Sequence, residues 1–358
     1  MDTQAVCWSR ADHGPDAAEG ALAGSGALHG LTLVDHRILI TGGAGFIGSN
    51  LADALTELGN HVTCYDSFSP YYEGKDANVR GCLANPRYRL LRADILDRER
   101  LEDATEDIDI VFHLAAQPGV RYSLENAAGV VRVNVEGTVS VLEMARKKSV
   151  PKVVFASSSS VYGNPIRLPV TETDPTNPLS PYGASKLAAE KISQTYSELY
   201  GIRIVVLRYF TVYGPRQRPD MAVRRFLQDL LNNHPLTVFG DGKQTRDLTY
   251  VHDIVAGTIA AATASFGAYE VLNLGAGHRI AVIELLRTLA EVAGRQSSMS
   301  CHFEPRNPAD VKDTQADIGK ARRLIGFNPQ TTLQQGLKSF VDWYLGTESS
   351  PGKVPKDD

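Results

Sequence analysis

A tyrosine and a lysine four residues apart, in Tyr182-Gly-Ala-Ser-Lys186, stand downstream of four consecutive serines, Ser157 to Ser160. If residues 182–200 are helical, Tyr182 and Lys186 lie one turn apart on one face. An ammonium beside a phenol stabilises the phenolate, so the tyrosine can take a proton well below its usual pKa of about 10. That is equipment for acid–base chemistry on a hydroxyl. A solvated helix carrying an ordinary Tyr and Lys has the same spacing. What decides between the two is whether the chain also brings a hydride carrier and a substrate to Tyr182.

A hydride carrier has its own signature upstream. Arg37-Ile-Leu-Ile-Thr41 reads as a buried strand running into Gly42-Gly-Ala-Gly45-Phe46-Ile47-Gly48. A helix follows, with Ile47, Leu51, Leu55 and Leu58 on one face. Gly59-Asn60 stops it, and His61-Val-Thr-Cys-Tyr-Asp66 is the next strand. Strand, glycine loop, helix, strand, acid is the order a dinucleotide fingerprint requires. The glycines allow a tight turn and let a pyrophosphate approach the helix N-terminus, whose free N–H groups favour anions. Asp66 stands where a carboxylate accepts hydrogen bonds from the adenosine ribose and repels a 2′-phosphate. The expected cofactor is NAD.

The alternation continues. Tyr88 to Ile95, Ile108 to Leu114, Val153 to Ser157 and Ile202 to Arg208 read as strands, with a long helix from about Glu125 to Lys148 and another over 182–200. Strands alternating with helices, without a hairpin signal, mean an α/β fold: a doubly wound parallel sheet with helices on both faces. Such sheets bind ligands outside the carboxyl ends of their strands. Gly42 to Gly48, Asp66, Asp94, Ala115, Ala116, Gln117, the serine run and Tyr209 to Thr211 all fall there. Phe46, Ile47, Ile95, Leu114, Asn134 and Val212 complete the expected cofactor contacts.

After Tyr213 the pattern loosens into short strands, Thr237 to Gly242 and Thr245 to Val251, among helices near 252–265, 281–293, 317–324 and 332–345. The expected organisation is a disordered extension over 1–33, a NAD-binding domain over 34–212, a smaller α/β substrate lobe over 213–346 contributed piecemeal, and a frayed tail over 347–358.

With 358 residues, 43% of them hydrophobic, the chain can bury a substantial core. A net charge of −4 gives no electrostatic case for nucleic acid or an anionic membrane surface. No run of about 18 apolar residues marks a membrane span, and residues 1–30 lack the layout of a signal peptide. Cys7, Cys64, Cys82 and Cys301 form no C-x-x-C pair, which argues against a zinc site or a disulfide framework and fits a reducing cytoplasm. His113, inside an apolar run, reads as a hydrogen-bonded core residue, and no metal is expected.

These motifs resemble the extended short-chain dehydrogenase/reductases that modify nucleotide sugars. The likeness runs from about Arg37 to Tyr344. It rests on Thr-Gly-Gly-Ala-Gly-Phe-Ile-Gly at 41–48, Ser-Ser-Val-Tyr-Gly at 159–163, Ser-Pro-Tyr-Gly-Ala-Ser-Lys at 180–186 and Thr-Arg-Asp-Leu-Thr-Tyr-Val at 245–251. The resemblance implies a Rossmann domain with a small C-terminal lobe, usually dimeric. It also implies Tyr182 as catalytic base and acid, Lys186 as its partner, and Ser158 as the hydroxyl on the reacting sugar oxygen. Apolar residues Val131, Val135, Leu142, Leu187 and Ile192 suit either a dimer face or the core.

Relatives that eliminate water or carbon dioxide carry a Glu where this chain has Ser160, which leaves epimerisation. Gln117-Pro-Gly119-Val120-Arg121 and Thr211-Val-Tyr-Gly-Pro-Arg216-Gln-Arg218 are similar to epimerases acting at C4 of UDP-glucuronate. Ser159, Ser160, Thr211 and Arg218 are then expected to hold a sugar carboxylate by charge-assisted hydrogen bonds. Arg216 is the weaker candidate of the loop's two arginines, and for both the alternative reading is a solvated loop charge. At the nucleotide end, Val238 and Phe239 flank uracil, Arg246 resembles the family's diphosphate-binding arginine, and Arg306 and Asp310 lie near its arginine-and-aspartate site. Asn307 stands where the family often has arginine. The alternatives are a 4-epimerase of neutral UDP-hexoses, a UDP-glucuronate decarboxylase, and a non-catalytic module that senses NAD.

Overall fold

The computed structural model describes residues 33–306 and 309–348. The expected extension and tail lie outside the described residues, except at their inner ends. Leu33 is packed into the core, and the last helix runs to Glu348.

Seven parallel strands form the central sheet. In chain order the first six are β1 (Arg37–Thr41), β2 (His61–Asp66), β3 (Tyr88–Arg92), β4 (Ile110–His113), β5 (Lys152–Ser158) and β6 (Arg203–Tyr209). The spatial order is β3-β2-β1-β4-β5-β6, with Tyr269–Leu274 added beside β6. The order reverses direction between β1 and β4, the place where such sheets open a crevice. Val154, Phe155, Val205 and Val206 are buried on alternate faces and feed two apolar layers. Strands covered on both faces need such continuous apolar runs.

Three expectations are corrected. The sheet gains an edge strand, Tyr269–Leu274, which the sequence pattern does not announce and which comes from beyond residue 213. The helix Val251–Thr263 also packs on β5, β6 and the helix Phe46–Glu57. The boundary at 212/213 therefore does not separate the layers. The helix expected over 125–148 is broken at Asn126, whose side chain caps a new start by accepting from Gly129 N–H. It then passes through a π-turn at Arg132–Glu136 before continuing as Gly137–Lys147. Finally, Asp247 divides the expected strand 245–251 into Thr245–Arg246 and Leu248–Tyr250.

Candidate active site

The chain leaves β1 at Thr41 and turns sharply through Gly42, whose φ of 73° suits glycine. A Cβ at Gly48 would overlap the Gly42 carbonyl oxygen, so only glycine lets the helix Phe46–Glu57 start this close to the strand. Gly45 caps that helix without a side-chain hydrogen bond, so the helix start is not filled by its own cap. Asp66, at the end of β2, accepts from Ala44 N–H at 3.1 Å and Phe68 N–H at 2.8 Å, which fixes its carboxylate beside the loop.

A cavity of about 270 Å³ opens along these strand ends. Gly42, Gly45, Phe46, Ile47 and Gly48 line it, followed by Asp66, Asp94 and Ile95. Leu114, Ala115, Ala116 and Gln117, which leave the end of β4, continue the same wall. Tyr182, Lys186, Tyr209 and Arg218 close its other side. A glycine turn, a helix start without a side-chain cap and a fixed acid within one elongated crevice fit a dinucleotide such as NAD.

Sequence reasoning missed a second set of wall residues. Ser67, Ser69, Tyr71, Tyr72 and Lys75 come from the segment after β2, and Ala156 from the end of β5, beside Ser157 of the serine run. Tyr72 faces the start of the helix at Phe46, and Lys75 Nζ lies 3.7 Å from Asp66. The segment after β2 has no periodicity, so only its proximity to the motif acid marks it.

The helix Pro181–Tyr200 begins at Ser180, which accepts from Gly183 N–H, with Pro181 at its first position. A Cβ on Gly183 would stand 2.6 Å from the Ser160 carbonyl, so glycine allows the helix to press against the serine run. Ser158 Oγ accepts from Ser160 N–H at 3.1 Å and shapes a short turn at Ser159–Val161. The Ser158 hydroxyl lies near enough to the Tyr182 phenol to favour its phenolate.

Burial pushes the Tyr182 phenol up, and the Arg218 guanidinium and Ser158 pull it down. Lys186 Nζ instead donates to Ala156 O at 2.8 Å and sits over the Phe155 ring. Burial brings this ammonium down to about 8, while Glu190 one turn further along opposes the change. The positive charge that acts on Tyr182 thus comes from Arg218, 36 residues away in sequence.

Glu190 is itself locked. It accepts two hydrogen bonds from Arg208, at 2.7 and 3.0 Å, and one from Ser157 at 2.5 Å. Buried charges persist when paired and hydrogen-bonded in this way. His113 lies between the hydroxyls of Thr41 (2.7 Å) and Thr138 (3.0 Å), and burial holds its imidazole down to about 3. It is a neutral core residue. Asn134, buried in the π-turn, joins Gln117 to Ser185 through hydrogen bonds of 2.7 and 2.9 Å. It supports the cavity from behind and does not line it.

Other expected contacts fall elsewhere. Val212 and Val238 are 4% and 1% exposed within the core, so their side chains are unavailable to a ligand. Each sits on a short strand that buries this register position. Thr211 is half-buried, with its N–H donated to Asp247 O at 3.1 Å. Gly119 and Val120 open the helix that carries Arg121. Arg121 stacks 3.9 Å above the Phe239 ring and pairs with Asp310 at 2.9 Å. Arg306 donates to the Asp310 carbonyl at 2.6 Å, and Arg246 feels the charges of both residues. Arg246, Arg306 and Asp310, the three charged residues expected at the nucleotide end, thus lie together, and Arg121, expected with the sugar segment, joins them through Asp310 and Phe239. Among the described residues no cluster of three or more His, Cys, Asp or Glu side chains suits a metal.

A family model described as NAD dependent epimerase/dehydratase matches residues 38–275. A UDP-glucuronate 4-epimerase of Thermodesulfobacterium geofontis is 38% identical over 310 residues, covering 85% of this chain and 95% of that one. Among solved structures, the UDP-glucuronic acid 4-epimerase of Bacillus cereus, in complex with UDP-glucuronic acid and NAD, superposes with a TM-score of 0.82 at 39% identity. The match covers 87% of this chain and 99% of that one. The UDP-glucose 4-epimerase of Thermotoga maritima with UDP-glucose gives 0.81 at 34% identity, with the same coverage. With the family model matching residues 38–275 and relatives of 38–39% identity covered over nearly their whole length, the chain belongs to the NAD-dependent epimerase/dehydratase family and uses NAD.

Proposed function

We propose that the protein interconverts UDP-glucuronate and UDP-galacturonate. The observation that carries this reading is Arg218, a guanidinium placed in the same cavity as Tyr182. Its side chain is 18% exposed and pairs with Asp220 through Nε and Nη2, at 2.9 and 3.0 Å, leaving Nη1 outside that pair. A fixed cation at the sugar end favours an anionic substituent over a neutral hydroxymethyl.

NAD, when bound, accepts a hydride from C4 of the sugar and later returns it to the other face. Tyr182 takes the C4 hydroxyl proton and gives it back, acting as base and then acid. Ser158, beside the phenol, orients the reacting oxygen. The 4-keto sugar turns over between the two steps and leaves as the epimer. A 4-keto uronate is a β-keto acid and tends to lose carbon dioxide. Arg218, Thr211, Ser159 and Ser160 hold the carboxylate anionic and turned out of overlap with the carbonyl. Arg121, Arg246, Arg306 and Asp310 take the nucleotide end, where three guanidiniums suit a diphosphate.

The face of Ala127, Ala128, Val131, Val135 and Val139 borders a shallow groove, and Val131 is 46% exposed. That supports a homodimer built on this helix. Leu142 belongs to the core, and Leu187 and Ile192 pack against it.

The test is NMR of the products that purified protein makes from UDP-glucuronate without added NAD. UDP-galacturonate is expected. A neutral-hexose epimerase would instead convert UDP-glucose and leave UDP-glucuronate untouched. Release of carbon dioxide with a UDP-pentose as the main product would overturn the reading.

A further inference from the structure

The loop 214–221 carries Arg218 and is gripped from behind by the cofactor helix Phe46–Glu57. Phe46, Asn50 and Asp53 follow the i, i+4, i+7 spacing of one helix face. Phe46 lines the cofactor cavity, and the other two reach the loop. Asn50 Nδ2 donates to Pro215 O at 3.2 Å, and Arg216 Nη2 pairs with Asp53 Oδ2 at 2.5 Å. The second oxygen of Asp53 accepts the Cys82 thiol at 2.8 Å. Both members of the ion pair are mostly covered, at 21% and 27% exposure.

Arg216 is not in a relaxed conformation. Its φ is 68°, a left-handed backbone that a residue with a Cβ rarely adopts, and its Nη1 is buried without a hydrogen-bond partner. Such a conformation persists only when the surroundings over-determine it. Here the surroundings are Asp53, the Asn50–Pro215 bond and Gly214, where a Cβ would stand 2.8 Å from Val251. Two residues on, the chain emerges with Arg218 facing the cavity, where Asp220 holds it and is in turn held by the Tyr71 hydroxyl at 3.1 Å.

We propose that Asp53 and Arg216 form a clamp that positions Arg218, so that the helix holding the cofactor also sets recognition of the sugar carboxylate. Asp53 and Arg216 are positioning residues: they lie behind the loop and act only through where they place Arg218. This inference rests on the reading of Arg218 given above. It assigns Arg216 a role that the sequence of the loop left open.

The test compares affinities of the NAD-loaded protein for UDP and UDP-glucuronate by calorimetry. The variants are Arg218→Met, Asp53→Asn and Arg216→Gly, together with the Asp53→Asn, Arg216→Gly double variant. Glycine at 216 accepts the left-handed backbone, so the loop can keep its path while losing the guanidinium. Arg218→Met should weaken UDP-glucuronate about tenfold or more and leave UDP unchanged. Each clamp variant should weaken UDP-glucuronate about fivefold with UDP unchanged, and the double variant no more than either single, because they break one contact. A loss shared equally by both ligands would mean that the pair merely stabilises the fold, and would overturn the clamp. So would an unchanged ratio in the clamp variants while Arg218→Met responds. An unchanged ratio in Arg218→Met would instead overturn the carboxylate reading itself. If Asp53→Asn loses its NAD or its thermal transition, Arg216→Gly alone decides.

Discussion

Tyr182 sits between opposed forces: burial disfavours its phenolate, while Arg218 and Ser158 favour it. Removing the guanidinium therefore moves the phenol further up, and the acid limb of the rate profile should shift to higher pH in Arg218→Met. A shift to lower pH, or none, would show that Arg218 does not act on the phenol. Lys186 lines the cofactor cavity rather than charging the phenol, and it supplies the other limb through its hold on the bound nucleotide. Its ammonium titrates at about 8 rather than 10.5, so the charge is present below pH 8 and fades as pH rises through it. The wild-type rate of UDP-glucuronate epimerisation should decline from about pH 8 upward. Spacing marked Tyr182 and Lys186 as a candidate pair, because one turn of helix fixes them, and the family resemblance singled out Ser158. Spacing did not reveal that Lys186 turns to Ala156 O, nor that the cation on the phenol comes from another loop. Those depend on tertiary placement across 36 residues.

The glycine loop and the helix after it are the elements most legible in the sequence, since their chemistry is local: turn, uncapped helix start, acid on the next strand. Gly48→Ala tests this. The added Cβ meets the Gly42 carbonyl oxygen, which is backbone and cannot swing aside. Purified Gly48→Ala should carry less than about a tenth of the wild-type NAD, read by chromatography of nucleotide released on denaturation. Full occupancy would mean that the loop relaxes more readily than its packing implies. Less legible was the helix expected over 125–148. Its apolar periodicity crosses a cap at Asn126 and a π-turn at Arg132–Glu136 without visible interruption. The π-turn buries Asn134 against Gln117 and Ser185, a demand of the neighbouring elements that periodicity does not encode. The walls contributed by Tyr71, Tyr72 and Lys75 lie in an aperiodic segment for the same reason.

Across the whole molecule, the two halves expected from the sequence are interleaved. Tyr269–Leu274 completes the sheet in full register with β6, from Tyr269 opposite Ile204 to Leu274 opposite Tyr209. Asp247 ties the rest together. It is fully buried, and its carboxylate accepts N–H groups from Ala276 at 2.7 Å, Ala316 at 2.9 Å and Gly277 at 3.1 Å. Its own carbonyl receives Thr211 N–H. One side chain thus joins the end of the edge strand to the segment before the helix Gly319–Ile325, beside the strand that follows β6. Sequence reading found the residue inside a motif but had no means to see which distant amides it satisfies. An interleaved molecule of this kind should melt as a unit, so calorimetry of the NAD-loaded protein should give one transition. Asp247→Ala leaves one buried and two partly buried N–H groups without that acceptor, at about 1–3 kcal/mol for the buried one and less for the others. It should lower that single transition by several degrees without splitting it. Two resolved transitions, with only the later one moved by Asp247→Ala, would mean that the substrate lobe folds independently and that the shared edge strand couples it weakly.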